Sequence, residues 1–383
     1  MKNKDVRTAS DFAGLPSPCY VLDEALLQHN LEILQEVKAR AGCKILLAQK
    51  AFSMWSVYPK LAEVLDGTTA SGLFEARLGA ECFGRETHVF SPCYGAEFEE
   101  LTHLCGHIVF NSFEQWERHR DRALGSGASC GIRVNPEHST QEGHAIYDPC
   151  AFGSRLGVTR KNFRPDLLGG IEGLHMHTLC EQNSDALCET FEAFEAKFGE
   201  FLEGRKWLNL GGGHHITRAD YDRERLIALI LRIRETYGVE VYLEPGEAVV
   251  LNAGFLLATV LGIVDNGVKT VILDASAACH MPDVLEMPYR PEVVGAGREG
   301  EKPFCYRLAG NTCLAGDVIG TYSFDRPLEE GDRLLFCDTA HYSTVKNNTF
   351  NGTPLPALAV RRADGTCEVV RRFGYEDFKN RLS

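Results

Sequence analysis

The chain lacks a long apolar run, a paired C-x-x-C motif and any excess of positive charge. No stretch approaches the roughly 18 uncharged apolar residues of a membrane span, so we expect no membrane partner. The formal net charge of -13 at pH 7 offers no basic surface for phosphates, which argues against a nucleic acid as partner. It is compatible with a cationic ligand.

The N-terminal segment MKNKDVRTASDFAGLPSPCY contains no apolar core of a signal peptide. The 14 cysteines are scattered along the chain, and in a protein without a secretion signal they are typical of reduced, mostly buried thiols. The cytoplasm is therefore the expected location. With 383 residues, 44% apolar and 24% charged, the chain has the composition of an ordinary globular protein and the length for two domains.

What the sequence does contain is an alternation of short apolar runs and amphipathic stretches. The runs begin near Lys44, Val64, His88, His107, Gly131, Gly173, Trp207 and Glu240. Strands separated by helices indicate parallel βαβ units, and eight units over about 220 residues match the size of a (β/α)8 barrel. We therefore predict an α/β fold with a TIM-like barrel over residues 24–250. A doubly wound sheet is the competing architecture.

After Gly246 the pattern changes to consecutive strand-like segments with few helices. Asp265-Asn266-Gly267 separates two of these segments and is typical of a hairpin turn. We predict a C-terminal all-β domain over residues 251–383. The strand-like segment CYVLD lies before the first predicted barrel helix, so residues 1–23 are assigned to the same β domain.

Polar or small residues follow several of the predicted barrel strands. Lys50 closes the first strand, His177 the sixth and Glu244 the eighth, and Gly211–Gly213 follows the seventh. The carboxyl ends of all barrel strands meet at one face, where active sites are built, so we expect these residues to converge. Each feature also has an ordinary structural explanation when taken alone. The lysine could extend to solvent, the histidine could belong to the core, the glycines could form a tight turn, and the glutamate could lie in a loop.

Together, these residues match the parts of a pyridoxal phosphate site. Such a site needs a lysine that forms a Schiff base and an acid that protonates the pyridine nitrogen. It also needs a glycine-rich loop whose backbone N–H groups approach the phosphate. Lys50, Glu244 and Gly211–Gly213 would fill these three roles.

The histidines leave a second chemistry open. His175 and His177 have i,i+2 spacing on a predicted strand and share one face, which also suits a zinc pair. With His214 and His215 they would form the site of a zinc-dependent barrel hydrolase. That interpretation requires a metal, whereas the pyridoxal phosphate interpretation requires none.

The sequence resembles the fold-type III, alanine racemase-like pyridoxal phosphate decarboxylases. The resemblance extends over nearly the whole chain, through PCYVLDEALLQHNL, AQKAFSMW, HMHTLCEQ, LNLGGGHHIT, EPGEAVV, GNTCLAGD and HYSTVKNNTFNG. HTLCEQ and EPGEA are similar to the carboxynorspermidine/carboxyspermidine decarboxylase branch. The resemblance implies decarboxylation of a small cationic carboxylated triamine in polyamine biosynthesis. A diaminopimelate or arginine decarboxylase, or a catalytically silent cofactor-binding regulator, is the alternative.

The resemblance also implies roles for individual residues. At the cofactor these are Lys50 as the Schiff-base lysine, His177 stacked on the ring, Gly212 and Gly213 at the phosphate, and Glu244 at the pyridine nitrogen. The family implies a head-to-tail homodimer with shared sites. Cys313 would enter the partner's site to help reprotonate the carbanion, and Tyr342 would touch the phosphate there.

The chain departs from the family pattern on the substrate side. Ornithine decarboxylases have a phosphate-binding arginine after EPG, where this chain has Glu247. They also have an amine-binding aspartate after the cysteine, where this chain has Leu314, which argues against ornithine as substrate. We predict that Glu247 binds a substrate amine. Asp283 is a second candidate, and Asp317 and Glu286 rank lower, with solvated loop charges as the alternative interpretation.

Overall fold

The computed structural model describes residues 7–141 and 145–383. The chain divides into two compact units, His29–Val249 and the combination of Met1–Gln28 with Val250–Ser383. We call them the barrel unit and the sheet unit. In the described part of the chain, no helix has the length and apolar character needed to cross a bilayer.

The barrel unit contains a closed barrel of parallel strands. The first strand of the chain, β1 (Cys19–Asp23), precedes it, and the barrel strands are β2 (Lys44–Ala48), β3 (Gly67–Ala70), β4 (Glu86–Phe90), β5 (His107–Phe110), β6 (Ser129–Arg133), β7 (Ile171–His175), β8 (Trp207–Asn209) and β9 (Glu240–Leu243). They pair in sequence order, and β9 closes the ring by pairing with β2. The predicted barrel is confirmed, and the doubly wound sheet is excluded because this sheet has no open edge.

Helices connect most of the barrel strands. They are α1 (Glu24–Ala41), α2 (Tyr58–Leu61), α3 (Leu73–Leu78), α4 (Phe98–Leu104), α5 (Phe113–Gly125), α6 (Ser184–Phe198), α7 (Arg223–Tyr237) and α8 (Glu247–Val250). Their ends follow local chemistry: Asp222 caps α7 by accepting the backbone N–H of Arg225 at 3.0 Å. Gly238, with a φ of 67°, ends the same helix in the left-handed conformation that glycine tolerates.

The barrel interior is filled by side chains. Trp207 and Tyr242 pack with Leu46 and Val109 in a buried cluster. The indole of Trp207 has room because β6 and β7 carry glycines: a Cβ would lie 2.0 Å from the indole at Gly173 and 2.2 Å from it at Gly131. The barrel is therefore a packed core and not a pore, as is usual for this fold.

The sheet unit is built on a mixed eight-stranded sheet. Its strands after β1 are β10 (Gly254–Asp265), β11 (Lys269–Leu273), β12 (Phe304–Ala309), β13 (Val318–Phe324), β14 (Arg333–Cys337), β15 (Ala357–Arg361) and β16 (Cys367–Arg371). The helices of this unit are the short α9 (Ala277–His280), α10 (Asp283–Glu286), α11 (Ser343–Lys346) and α12 (Tyr375–Lys379). The predicted second domain thus has the expected β architecture, with short helices inserted.

Two local predictions for this unit are confirmed. The CYVLD segment is β1, which lies between β10 and β15, antiparallel to the former and parallel to the latter. Strands β10 and β11 form a hairpin in which Asp265 faces Lys269. The Asp-Asn-Gly sequence therefore marks the turn that joins them, as its residue types indicate.

Candidate active site

A cavity lies at the carboxyl ends of the barrel strands. Its ionisable lining residues are Lys50, Arg133, His175, His177 and Glu244, and we call it the Lys50 cavity. Lys50 follows β2, Arg133 and His175 are the last residues of β6 and β7, and Glu244 follows β9 directly. The structure thus brings together the predicted lysine, histidine and glutamate.

Lys50 presents its amine to the cavity. The side chain is exposed, and its exposed surface lines the cavity. Desolvation by the surrounding protein nevertheless lowers the pKa of the amine, and the Arg133 guanidinium lowers it further, against the opposing effect of Glu244. A lowered pKa increases the fraction of neutral amine, which is the form that attacks a carbonyl carbon.

Glu244 is held as a carboxylate by two neighbours. Its Oε1 accepts a hydrogen bond from Asn209 Nδ2 at 2.8 Å, and its Oε2 lies 3.5 Å from His175 Nε2. Desolvation raises the pKa of this carboxyl group, but the contacts with His175 and Asn209 outweigh desolvation and the pKa falls to about 2. Glu244 is therefore ionised at neutral pH and can pair with a protonated nitrogen.

The His177 ring is fixed by the glycine turn. Its Nδ1 accepts a hydrogen bond from the backbone N–H of Gly212 at 3.0 Å. Desolvation, followed by the charges of Lys50 and Arg133, keeps the pKa of His177 well below its ordinary value. The imidazole is therefore neutral with its proton on Nε2.

The glycine turn after β8 has no room for side chains. A Cβ at Gly212 would lie 2.2 Å from the carbonyl oxygen of Glu244, and one at Gly213 would lie 1.9 Å from that of Leu179. Gly211 and Gly213 also have φ values of 69° and 82°, which disfavour other residues. Barrels commonly hold phosphate at the loops after strands seven and eight, so the turn fits a phosphate group.

Two residues of the site were missed by the sequence analysis. Arg133 lines the Lys50 cavity, where desolvation lowers its pKa to about 10, and its Nη2 donates to the carbonyl oxygen of His177 at 3.0 Å. Asn209 donates to Glu244 and accepts the backbone N–H of Gly211 at 2.8 Å. Both are the last residues of barrel strands, and that position is the signal that could have identified them.

Glu247, the predicted amine-binding residue, begins α8 directly after the loop that follows β9. Its Oε1 lies 3.3 Å from Nε2 of His215, and the two side chains are only 17% and 8% exposed. Glu247 is not among the residues that line the Lys50 cavity. A role at the substrate therefore stays a prediction.

The other predicted residues lie in the sheet unit. Cys313 is exposed, and its backbone N–H donates to Asn351 Oδ1 at 2.7 Å. Tyr342 has a φ of 45°, an uncommon value for a residue other than glycine. Asp283 and Glu286 both pair with the ammonium of Lys346, so a substrate cation would have to compete with that lysine.

Asp317 has a different environment from the other acidic candidates. It is buried and accepts hydrogen bonds from Ser276 Oγ at 2.8 Å, the Ala278 backbone N–H at 3.1 Å and Thr312 Oγ1 at 2.7 Å. These bonds join two loops of the sheet unit and give the Asp317 carboxylate three hydrogen-bond donors. A role of Asp317 at the substrate stays a prediction.

The histidines of the zinc interpretation have separate surroundings. His175 lies beside Glu244, and His177 accepts from Gly212. His214 Nδ1 lies 2.6 Å from the Tyr221 hydroxyl, and desolvation lowers the pKa of His214 to about 3. Among the described residues, one group of side chains could hold a metal ion, and it includes none of these four histidines.

That group consists of Glu86, His88 and His107, near the amino ends of β4 and β5. The Lys44 ammonium lies 2.5 Å from Glu86 Oε1. The two imidazole rings are stacked, with centroids 3.9 Å apart and planes 15° apart. An imidazole binds a metal in its own ring plane, so two nearly parallel rings are poorly placed to share one ion. The group is instead a packed polar layer.

Known proteins resemble this chain over most of its length. A family model described as "Pyridoxal-dependent decarboxylase, C-terminal sheet domain" matches residues 19–340. The carboxyaminopropylagmatine decarboxylase of Synechocystis is 44% identical, over 97% of this chain and 96% of that protein. The carboxynorspermidine/carboxyspermidine decarboxylase of Campylobacter jejuni is 43% identical, over 97% of this chain and 99% of that protein.

Solved structures agree with these relatives. The crystal structure of carboxynorspermidine decarboxylase complexed with norspermidine, from Campylobacter jejuni, has a TM-score of 0.90 and 41% identity and covers 96% of this chain and 100% of that one. A diaminopimelate decarboxylase from Helicobacter pylori, with a TM-score of 0.82 at 19% identity, shares the fold. The family match spans most of the chain, and the residues that line the Lys50 cavity suit the cofactor that this family implies; the chain belongs to the pyridoxal-dependent decarboxylases.

Proposed function

We propose that the protein decarboxylates carboxynorspermidine, carboxyspermidine or both, giving norspermidine or spermidine in polyamine biosynthesis. The observation that carries the proposal is the near full-length identity of 43% to the Campylobacter jejuni enzyme named for these substrates. Diaminopimelate decarboxylases are more distant, at 28% identity for the Bacillus subtilis enzyme. The net charge of -13 also suits a cationic substrate.

When bound, pyridoxal phosphate supplies an aldehyde that joins an amine and a ring that takes up the electron pair left by departing CO2. Lys50 would bind the aldehyde carbon between turnovers, because its lowered pKa favours the neutral amine. Glu244, ionised and held by Asn209, would keep a proton on the ring nitrogen. Both residues line the Lys50 cavity.

The remaining cavity residues would orient the cofactor. His177 is neutral, and Gly212 fixes its ring, so the flat face of the imidazole can pack on the cofactor ring. Gly212 and Gly213 would accommodate the phosphate, because their lack of side chains lets the phosphate approach the backbone. Substrate selection would then depend on groups outside this cavity.

Glu247 would bind an amine of the substrate. It occupies the position after EPG as a carboxylate, and a carboxylate forms charge-assisted hydrogen bonds with an ammonium group. Asp283 is the second candidate, and there a substrate amine would compete with Lys346 for the carboxylate. The substrate has one carboxylate and several amines. Acidic residues away from Lys50 would therefore bind the distant amines and determine which end of the substrate lies at Lys50.

We also propose a homodimer in the cytoplasm, with sites shared between subunits. Cys313 would enter the partner's site and give a proton to the α-carbon, and Tyr342 would reach the phosphate there. The exposure of Cys313 supports this role, because a proton donor must be accessible. All 14 cysteines lie in the described part of the chain and are free thiols, which is typical of a reducing compartment.

A second candidate substrate is carboxyaminopropylagmatine. The Synechocystis decarboxylase named for it is 44% identical, so identity does not separate the two substrates. The agmatine-derived substrate ends in a guanidinium group instead of an ammonium group. A carboxylate accepts hydrogen bonds from either group, and Glu247 alone therefore does not decide between them.

Release of CO2 from the three carboxylated polyamines tests the proposal, with diaminopimelate, ornithine and arginine as controls. We expect turnover of at least one carboxylated triamine at more than tenfold the kcat/KM of any control. Carboxynorspermidine and carboxyspermidine differ by one methylene, which a pocket discriminates by only about 1–3 kcal/mol, so activity on both is expected. Turnover of a control alone, or no CO2 release by the cofactor-loaded protein, would overturn the proposal.

A further inference from the structure

We propose that Asn351 positions Cys313 for proton transfer by fixing the backbone of the loop that carries this cysteine. Residues 310–317, which join β12 to β13, are called the Cys313 loop. The inference rests on the proposed function and deepens it, because it concerns the proton donor named there. It assigns no chemical step to Asn351, which is a positioning residue that acts through Cys313.

The contact between the two residues is direct, although they lie 38 positions apart in the sequence. The backbone N–H of Cys313 donates to Oδ1 of Asn351 at 2.7 Å. Because a backbone N–H can only donate, the amide oxygen is the atom that accepts. The bond uses no atom of the Cys313 side chain, and Cys313 is exposed. Asn351 therefore restrains the backbone of this residue and leaves its thiol accessible to a second molecule.

The residues on either side of Cys313 are held within the same loop. Thr312 Oγ1 donates to Asp317 Oδ2 at 2.7 Å and accepts the backbone N–H of Leu314 at 3.4 Å. The hydroxyl of Thr312 thus connects the residue after the cysteine to the buried carboxylate at the end of the loop. With the Asn351 bond, each of the three consecutive residues 312–314 has a polar atom with a defined partner.

One short helix, α9, anchors both that loop and the turn that carries the amide. The backbone N–H of Ala278, in α9, donates to Asp317 Oδ1 at 3.1 Å, and its carbonyl oxygen accepts from Asn348 Nδ2 at 2.8 Å. Asn348 Oδ1 in turn accepts the backbone N–H of Phe350 at 3.0 Å. The hydrogen bond of Asn351 closes this ring of contacts, so α9 fixes the distance between its donor and its acceptor.

The backbone at Asn351 restricts which residues can make this contact. Its φ of 57° and ψ of 15° lie in the left-handed region, which asparagine, aspartate and glycine adopt more readily than other residues. Only asparagine and aspartate also offer a side-chain oxygen near the main chain. Glycine keeps the backbone conformation and removes the acceptor. The position therefore allows a substitution that deletes the hydrogen bond without straining the turn.

Two variants of Asn351 separate the hydrogen bond from the shape of the turn. We expect Asn351→Gly to lower kcat for the preferred carboxylated triamine at least about tenfold, with KM within about threefold of wild type, because a proton donor is displaced while substrate contacts remain. Asn351→Asp retains the acceptor and should keep kcat within about threefold. Asn252→Gly is the matched control, at another exposed asparagine with a φ of 56°, and should retain the wild-type kcat.

A double-mutant cycle tests whether Asn351 acts through Cys313. In the Cys313→Ala background, Asn351→Gly should lower kcat by less than about twofold, because the thiol that it positions is gone. A substitution that merely loosens the fold would lower kcat in both backgrounds. If Asn351→Gly does not fold, Thr312→Val replaces it in the cycle, with Thr312→Ser as the variant that keeps the hydroxyl. We expect Thr312→Val to lower kcat at least about threefold and Thr312→Ser to restore it.

Hydrogen exchange of the Cys313 amide gives a readout that does not depend on turnover. An amide hydrogen that is bonded within the protein exchanges more slowly than a free one. In the full-length holoenzyme we expect this hydrogen to exchange about tenfold faster in Asn351→Gly than in wild type, with Asn351→Asp close to wild type. Equal exchange in Asn351→Gly and wild type would overturn the inference.

The outcomes distinguish this inference from the proposed function. If the wild-type holoenzyme releases CO2 from no carboxylated polyamine, the proposed function fails and this inference fails with it. If wild type is active and Cys313→Ala retains its kcat, the proposed proton donor is wrong and Asn351 has nothing to position. If Cys313→Ala is impaired but Asn351→Gly is not, or if their effects on kcat multiply, only the positioning role is wrong.

Discussion

Asn209 links Glu244 to Gly211, the first residue of the glycine turn. Its Nδ2 donates to Glu244 Oε1, and its Oδ1 accepts the backbone N–H of Gly211, both at 2.8 Å. One buried amide at the end of β8 thus holds the carboxylate after β9 and the glycine turn. Both hydrogen bonds depend on an amide, because a carboxylate cannot donate and an aliphatic side chain can do neither.

Replacement of Asn209 should therefore disturb both the Glu244 carboxylate and the glycine turn, and two variants distinguish the two effects. Asn209→Leu leaves Glu244 and the Gly211 N–H without this partner, at a cost of about 1–3 kcal/mol for each buried group. We expect kcat to fall at least tenfold and cofactor affinity to fall with it. Asn209→Asp keeps the acceptor for Gly211, so its cofactor affinity should exceed that of Asn209→Leu. Equal cofactor titrations for the two variants would contradict this account.

Lys50→Ala should abolish decarboxylation. No other lysine lines the Lys50 cavity among the residues that the structure describes, and a weakly basic amine in that place is the group suited to bind the aldehyde. The measurement is CO2 release from the preferred substrate after cofactor loading. Lys161→Ala, at an exposed lysine, is the control and should retain wild-type rates. Appreciable turnover by Lys50→Ala would refute the assignment.

The pKa of Glu244 predicts a pH-dependent contribution to stability. The folded value of about 2 lies below the ordinary 4.5, so ionised Glu244 stabilises the folded state above pH 4.5. That contribution is lost as the pH falls from 4.5 to about 2. Urea unfolding at several pH values should show wild type more stable than Glu244→Gln at pH 6, with a difference that shrinks below pH 4.5. For Glu203→Gln, at an exposed glutamate, no such change is expected.

Much of the fold followed from the sequence because each barrel strand is a short apolar run separated from the next. The predicted starts of β2, β5, β8 and β9 agree with the structure, at Lys44, His107, Trp207 and Glu240. The third strand was placed too early, at Val64. There the chain still makes helix-like bonds, since the N–H groups of Val64 and Leu65 donate to the carbonyl of Leu61, and β3 begins only at Gly67.

The site was harder to predict where a residue acts through partners distant in sequence. Lys50, His177 and Glu244 could be found because each lies one or two residues beyond the carboxyl end of a barrel strand. Asn209 was missed although it ends β8, because its hydrogen bond to a residue 35 positions away leaves no further local pattern. Asp317, an acidic loop residue predicted at the substrate, is buried among partners of its own unit, and its role at the substrate stays a prediction.

Glu247→Gln should weaken substrate binding more than catalysis. The substitution keeps the shape of the side chain and removes the charge that would attract an ammonium group. We expect a rise in KM of tenfold or more for the carboxylated triamine, which is about 1.4 kcal/mol of binding free energy, with kcat within threefold. Unchanged affinity and turnover would eliminate Glu247 as an amine anchor and leave Asp283 as the acid to test.

Shared active sites can be tested by mixing two inactive variants. Lys50→Ala lacks the amine of its own barrel, and Cys313→Ala lacks the donor proposed to enter the partner's site. If the sites are shared across a twofold dimer, a mixed dimer contains one intact site, and random exchange of subunits restores about a quarter of wild-type activity. Cys305 is likewise exposed, and Cys305→Ala should retain full activity by itself. If mixing restores no activity although the subunits demonstrably exchange, each barrel works with its own Cys313 or without that residue.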